Sequence, residues 1–262
     1  MRPRLIFILV LCLSFIVCVS PGKKSEYRRE KDPNYLYNLG LYHLNAGNID
    51  EAIRYLERVI SLKPDYFLAL NALGLASYLR GNWVEAEKYF KKCLEINPGF
   101  TEARTNLGTV YVEMGLLEKA REEYLTALKD KNYPSKELPY YNLAKMSLST
   151  GHVQRALDYI QKAIAENRAF AAAHNLEGLI LEKLGKLLQA IKSYEEAVKI
   201  VPSALDFNYN LAVALFKARN YRRAGEIFKK ILPALKDEDL KEKVKNYLSL
   251  IEKKKEPPSN GF

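Results

Sequence analysis

Three histidines and three cysteines are the side chains in this 262-residue chain best suited to metal binding or nucleophilic chemistry. His43, His152 and His174 stand far apart, with no carboxylate or cysteine at ligand spacing, so no metal site is expected. There is no phosphate-cradling glycine loop, no nucleophile elbow, and no carboxylate pair beyond ordinary helix-surface patterns. No catalytic residue, cofactor or small-molecule substrate is indicated, and the chain reads as non-enzymatic. Cys93 takes a small-residue position that later copies of the same pattern fill with Ala127, Ala163 and Ala197. It therefore reads as a buried small hydrophobe and not as a reactive thiol.

The elements that must position anything else are written as a repeat. A leucine followed by glycine or alanine recurs at Leu39-Gly40, Leu73-Gly74, Leu107-Gly108, Leu143-Ala144 and Leu211-Ala212, with Gly178 in the fifth copy. Twelve residues after each small residue stands Ala52, Ala86, Ala120, Ala156, Ala190 or Ala224, and four later Leu56, Phe90, Tyr124, Ile160, Tyr194 or Phe228. A period of about 34 residues with this grammar is the tetratricopeptide signature. It predicts an all-α, right-handed helix-turn-helix solenoid of about six repeats over 33–236. The small residues mark close helix approach, and Gly47, Gly81, Gly115, Gly151 and Gly185 mark helix ends that want positive φ. Repeat four is displaced by two residues behind Asn132-Tyr133-Pro134-Ser135-Lys136, which predicts a short insertion. The sixth copy has Arg219-Asn220 in place of its turn glycine. Leu240, Val244, Leu248 and Ile251 then recur at helical spacing, predicting a capping helix over 237–255 and a tail over 256–262.

The formal charge of +10 comes from 41 Lys+Arg against 31 Asp+Glu. The basic residues are interspersed with acids, as in Glu85, Glu87, Lys88, Lys91 and Lys92, which reads as solvated helix faces. Nucleic-acid binding would want a basic stripe with stacking aromatics, and no nucleic-acid partner is expected.

The amino terminus carries the one indicated modification. Met1-Arg2-Pro3-Arg4 precedes an apolar run from Leu5 to Val17, short for a bilayer span and laid out as an export signal. Ser14-Phe15-Ile16-Val17-Cys18 resembles a bacterial lipobox with Cys18 as the lipid acceptor, departing from it at Val17, where that motif carries Gly, Ala or Ser. A lipidated Cys18, an uncleaved anchor and cleavage to a soluble product stay open. All three put the repeats outside the cytoplasm, and lipidation with Val19 next points to the outer membrane, facing the periplasm. Residues 1–20 thus form a leader or anchor, and 21–32 a polar tether.

A solenoid of this kind offers a concave face lined by its first helices. The register places Tyr37, Leu41 and Leu44 there in repeat one, and Leu68, Asn71, Leu75 and Tyr78 in repeat two. Thr105, Thr109 and Val112 follow, then Tyr141, Lys145 and Leu148, then Asn175, Leu179, Tyr209, Val213 and Phe216. A largely apolar strip with tyrosines and amides suits a peptide segment of a protein partner. Asn38, Asn106, Asn142 and Asn210 share one register. A carboxylate clamp would need several groove cations and finds mainly Lys145, so these amides are read as structural.

Asn106-Leu107-Gly108, Ala127-Leu128, Tyr133-Pro134, Tyr141-Asn142-Leu143-Ala144 and Gly151 form a repeat junction that resembles the PilF/PilW family of type IV pilus lipoproteins. The resemblance implies a pilotin, which binds a secretin subunit in the periplasm and carries it to the outer membrane. Cys18 would bear the lipid, and the amino-terminal repeats would contact secretin. The residues also fit an envelope scaffold recruiting peptidoglycan enzymes, or a soluble periplasmic assembly chaperone.

Overall fold

The computed structural model describes residues 31–254. The expected leader with Cys18, the tether before Lys31 and the tail lie outside the described residues.

Within them, thirteen α-helices follow one another without a strand. Six pairs make six repeats: α1 (Pro33–Asn45) with α2 (Ile49–Leu62), α3 (Phe67–Arg80) with α4 (Trp83–Ile96), α5 (Thr101–Glu113) with α6 (Leu117–Ala127), α7 (Glu137–Ser149) with α8 (Val153–Glu166), α9 (Ala171–Lys183) with α10 (Leu187–Ile200), and α11 (Leu205–Lys217) with α12 (Tyr221–Ile231). A 3-10 turn, Leu232–Ala234, leads to α13 (Glu238–Lys253). The first helix starts where its chemistry dictates: Pro33 needs no amide partner, and Asp32 accepts from the Asn34 N–H at 2.9 Å.

Each pair closes on the small residue of its first helix. A methyl group on Gly40, Gly74, Gly108 or Gly178 would lie only 2.5–2.7 Å from a carbon of Leu56, Phe90, Tyr124 or Tyr194 respectively. Those partners are buried, as are the second-helix alanines from Ala52 to Ala224. The helix cost of glycine, about 1 kcal/mol relative to alanine, is offset by seating a whole side chain across the seam. Repeats four and six use Ala144 and Ala212 at this position, and both are fully buried.

The turn glycines adopt the expected positive φ, from 73° at Gly185 to 85° at Gly81. Arg219 takes the same left-handed conformation at φ 62°, the one non-glycine residue among those described to do so. Its turn keeps the bonds of the others, with Asn220 N–H donating to the Leu215 carbonyl at 2.9 Å as Asn82 N–H does to Ser77.

The displaced fourth repeat has a physical cause. The α6 helix has 11 residues where α2 and α4 have 14, and a nine-residue link, 128–136, replaces the usual four. The net excess is the two residues expected. Tyr133 turns back out of this link into a buried position, where its hydroxyl meets Thr105 and burial pushes its phenol up to about 12. Asp130 accepts from the Thr101 hydroxyl at 2.6 Å and ties the link to α5.

Successive first helices touch from α1 through α9, while successive second helices make no comparable contact. The first helices therefore take the inside of the curve. At the far end α13 buries Val244 and Ile251 against the last repeat, with Leu240, Tyr247 and Leu248 half-buried beside them.

Candidate functional site

The inner face is built from side chains of α1, α3 and α5 in its amino-terminal half. Tyr37 lies beside Tyr66, ring centroids 5.3 Å apart, and the Tyr66 hydroxyl donates to Asn34 at 3.0 Å. Burial, then Tyr66 and then Glu102 push the Tyr37 phenol up to about 12. Lys63 stands over the Tyr66 ring at 5.0 Å. Leu41, Leu68, Leu75 and Tyr78 are half-buried. Leu75, Tyr78 and Thr109 meet Phe90 and Asn106 around one shallow cleft, so three residues of the expected strip come together across repeats two and three. Tyr78 has its phenol pKa raised, first by burial and then by Glu113, whose carboxylate accepts from the hydroxyl.

Other positions of the expected strip face inward. Leu44 is 6% exposed and packs with Ala52 and Ala76, because its turn of α1 points at the second helix of its own repeat. Thr105 is buried and bonds back to the Thr101 carbonyl at 3.1 Å. Asn71 is 7% exposed, donates to Glu102 at 3.2 Å and accepts from Asn106 at 3.2 Å. These three hold repeats together and offer little surface to a ligand.

The shared asparagine register has the same explanation. Asn106 donates to Asn71, Asn210 to Asn175 at 2.9 Å, and Asn142 to the Thr109 hydroxyl at 3.4 Å. Each bond crosses from one repeat to the repeat before it. Asn38, in the first repeat, has no earlier repeat to reach and is exposed. A half-buried amide bond at a seam stabilises by about 1 kcal/mol and penalises any slip in stacking.

The carboxy-terminal half is different. Tyr141 packs on Phe170, centroids 5.0 Å apart, and Lys145 stands over its ring at 5.8 Å. Leu148, Asn175 and Val213 are half-buried, and Leu179 is 38% exposed. Tyr209 and Phe216, also expected in the groove, belong instead to an aromatic cluster with the cap. Phe216 meets Tyr221 and Tyr247 at 5.3 and 5.0 Å, Tyr247 stacks on Phe228 at 5.0 Å, and Tyr209 meets Phe228 at 6.2 Å. The α13 helix lies where a seventh first helix would, and it covers this end of the strip.

The histidines serve packing and turns. His43 stacks on Tyr55 at 5.2 Å, His152 touches the Thr150 hydroxyl at 3.1 Å, and the His174 ring meets the Arg168 carbonyl at 3.0 Å. Cys93 is fully buried, and burial, aided by Glu102, pushes its thiol up to about 12. The sequence reading missed Glu102 and Glu113 on the inner face. Glu102 stands 34 residues after Leu68, which the register places on the inner face, and Glu113 directly follows Val112, another residue placed there.

Comparisons with known proteins agree on this architecture. Residues 37–100 and 77–134 match family models described as tetratricopeptide repeat. Residues 129–248 match the model of the tetratricopeptide repeat protein 21 C-terminal ARM domain. Among solved structures, pilF of Pseudomonas aeruginosa superposes with a TM-score of 0.71 at 18% identity, covering 87% of this chain and 100% of that one. PilW, a widely conserved type IV pilus biogenesis factor, gives 0.69 at 18% identity over 77% of this chain and 92% of its own. The Cut9–Hcn1 hetero-tetramer of the APC/C gives 0.74 at 16% identity over 87% of this chain and 44% of that chain. The comparison with curated proteins finds no match. The repeats are tetratricopeptide repeats.

Proposed function

We propose that this tetratricopeptide solenoid is a non-catalytic envelope protein that holds a segment of a partner protein along its inner face and acts as a pilotin-like factor in type IV pilus assembly. The observation that carries the reading is the coincidence of size and shape with pilF, whose whole chain is covered, together with the half-buried apolar surface of Leu75 and Tyr78 on the inner face. PilW, of similar shape, is a pilus biogenesis factor, and a secretin subunit is the partner this reading names.

Tyr78 supplies a half-buried ring beside Leu75, an anchor surface for an aliphatic or aromatic side chain. Asn106 borders the same cleft, and its amide has more bonding capacity than its bond to Asn71 uses, which the backbone of an extended segment can take up. Cys18, if lipidated, would set the destination. A diacylated residue anchors stably where a single chain binds only marginally. Among the described residues no helix is long and apolar enough to cross a membrane, so membrane attachment would fall to the amino-terminal segment.

The test is to purify the tagged full-length protein from its own membranes in mild detergent and identify what accompanies it by mass spectrometry. Recovery of a secretin from the unaltered protein, lost in a Tyr78→Ala variant, supports the reading. Peptidoglycan enzymes without secretin would make the protein an envelope scaffold and end the pilotin reading.

A further inference from the structure

The two ends of the stack are finished differently. At the carboxy end α13 turns Asp239, Glu242, Lys243, Asn246 and Lys253 outward, the polar covering that a terminal repeat needs. At the amino end nothing among the described residues plays that part. Tyr35, Asn38, Leu39 and Tyr42 lie on one stripe of α1, at the positions that in repeat two are Ala69, Ala72, Leu73 and Ala76. In repeat two, packed against repeat one, all four are 4% exposed or less, whereas Tyr35 is 38% and Tyr42 66% exposed. Residues 33–49 also contain no Asp, Glu, Lys or Arg. A helix open to water on this side would ordinarily carry charge there.

We infer that this amino-terminal face of repeat one rests on a lipid bilayer, with the Tyr35 and Tyr42 rings at the level of the headgroups and the solenoid running away from the surface. The inference rests on the membrane attachment proposed above and says how the anchored protein stands. Residues 18–32 connect the apolar run to α1, so α1 stays within about 50 Å of the membrane whatever path they take. In that stretch Lys23, Lys24, Arg28, Arg29 and Lys31 outnumber Glu26, Glu30 and Asp32, which favours anionic headgroups. Tyrosine fits this boundary, its ring apolar and its hydroxyl wet. A second copy fits less well. The two rings expose roughly 200 Å² together, against about 800 Å² per partner in a stable dimer. A contact that small is held because the chain's own anchor keeps it beside the surface.

The test moves the chain's single tryptophan onto this face. Trp83→Phe removes the native indole, Tyr42→Trp or Tyr35→Trp in that background reports from α1, and Leu250→Trp reports from the outer side of the cap. Full-length protein is reconstituted into vesicles of phosphatidylethanolamine and phosphatidylglycerol, with and without phosphatidylcholine brominated near its headgroup. Bromine should quench the emission of the Tyr42→Trp and Tyr35→Trp variants by about half and leave that of the Leu250→Trp variant unchanged. If the protein floats with the vesicles and the α1 indoles escape quenching, or the cap indole is quenched equally, the inference is overturned and the attachment stands. Unquenched α1 indoles in a protein that runs as a dimer in detergent would give the face to a second copy. Protein that does not float with the vesicles would overturn both the inference and the attachment.

Discussion

Repeats two and six are written in the same grammar and end in different uses. Both set a phenylalanine of the second helix against a small residue of the first, Phe90 against Gly74 and Phe228 against Ala212. Both cap the second helix with asparagine, Asn82 and Asn220. In repeat two the inner-face residues Leu75 and Tyr78 stay at the rim of a cleft. In repeat six Phe216, the equivalent of Tyr78, meets the closing helix, with Tyr247 pressed on Phe216 and Phe228. The difference lies in what comes next. Repeat two is followed by a turn and another first helix that keeps the curve open. Repeat six is followed by a helix that ends it. The repeat pattern fixes which side chains reach the inner face, and the neighbour decides whether they are surface or core.

The largest expected effects test that division. Gly74→Leu would drive a branched side chain into a ring already 2.6 Å from where its Cβ must sit. A loss of about 3 kcal/mol is expected, seen as a lower urea midpoint. An unchanged midpoint would mean that the repeat register is wrong. Phe216→Ala should cost about 2 kcal/mol by opening a half-filled cavity under Tyr247. Hydrogen exchange should show that loss confined to α11 through α13 while repeats one to three keep their protection. A loss spread evenly over the chain would break the nearest-neighbour picture. Tyr78→Ala should do the reverse, weakening partner binding about tenfold with a much smaller change in stability. If Phe216→Ala weakened binding and Tyr78→Ala did not, the open and closed ends would have to be exchanged.

Most of this fold was legible because its seams depend on side-chain size, which a sequence states outright. Gly74 before a second-helix Phe90, at a fixed spacing, leaves one way to pack. The capping helix was legible too, from Val244 and Ile251 on one helical stripe. The inner face was less so. A register places Leu44 and Leu75 at related positions, yet only Leu75 borders the cleft, since a small change in helix rotation moves a side chain from rim to core. Tyr209 and Phe216 were misjudged for a different reason: the cap that covers them is not a repeat, so the repeat pattern carries no record of where it sits. Asn142, by contrast, was rightly read as structural, although its partner, Thr109, is visible only once the repeats are stacked.

Smaller effects sharpen the comparison at the turns. Arg219 holds a left-handed φ of 62° at the place where repeat two has Gly81 at 85°. An L-residue there costs about 1 kcal/mol, so Arg219→Gly should stabilise the turn by somewhat less than that, since glycine also frees the unfolded chain. A small rise in the thermal midpoint checks it. A fall would mean that the arginine side chain contributes more than its backbone strain removes.

The last contrast is chemical. Repeat two carries Cys93 at the seam position that repeat six fills with Ile231, and both are buried. Burial raises the Cys93 thiol from 9.0 to about 12, and Tyr37, on the inner face of repeat one, rises from 10.0 to about 12. For an acid whose folded pKa lies above its unfolded value, the protonated form is favoured by folding. The corresponding stability is fully present below the unfolded pKa and is lost as pH rises through the folded one. The amino-terminal repeats should therefore weaken as pH rises from about 9 through about 12, as hydrogen exchange at fixed stages of an alkaline titration would show. Cys93→Ala should remove part of that loss, and the native thiol should resist alkylation at pH 8 yet react once urea opens the stack. Rapid alkylation of the folded protein would mean that this seam opens locally, and the cleft beside it would then be a moving part of the solenoid instead of a fixed one.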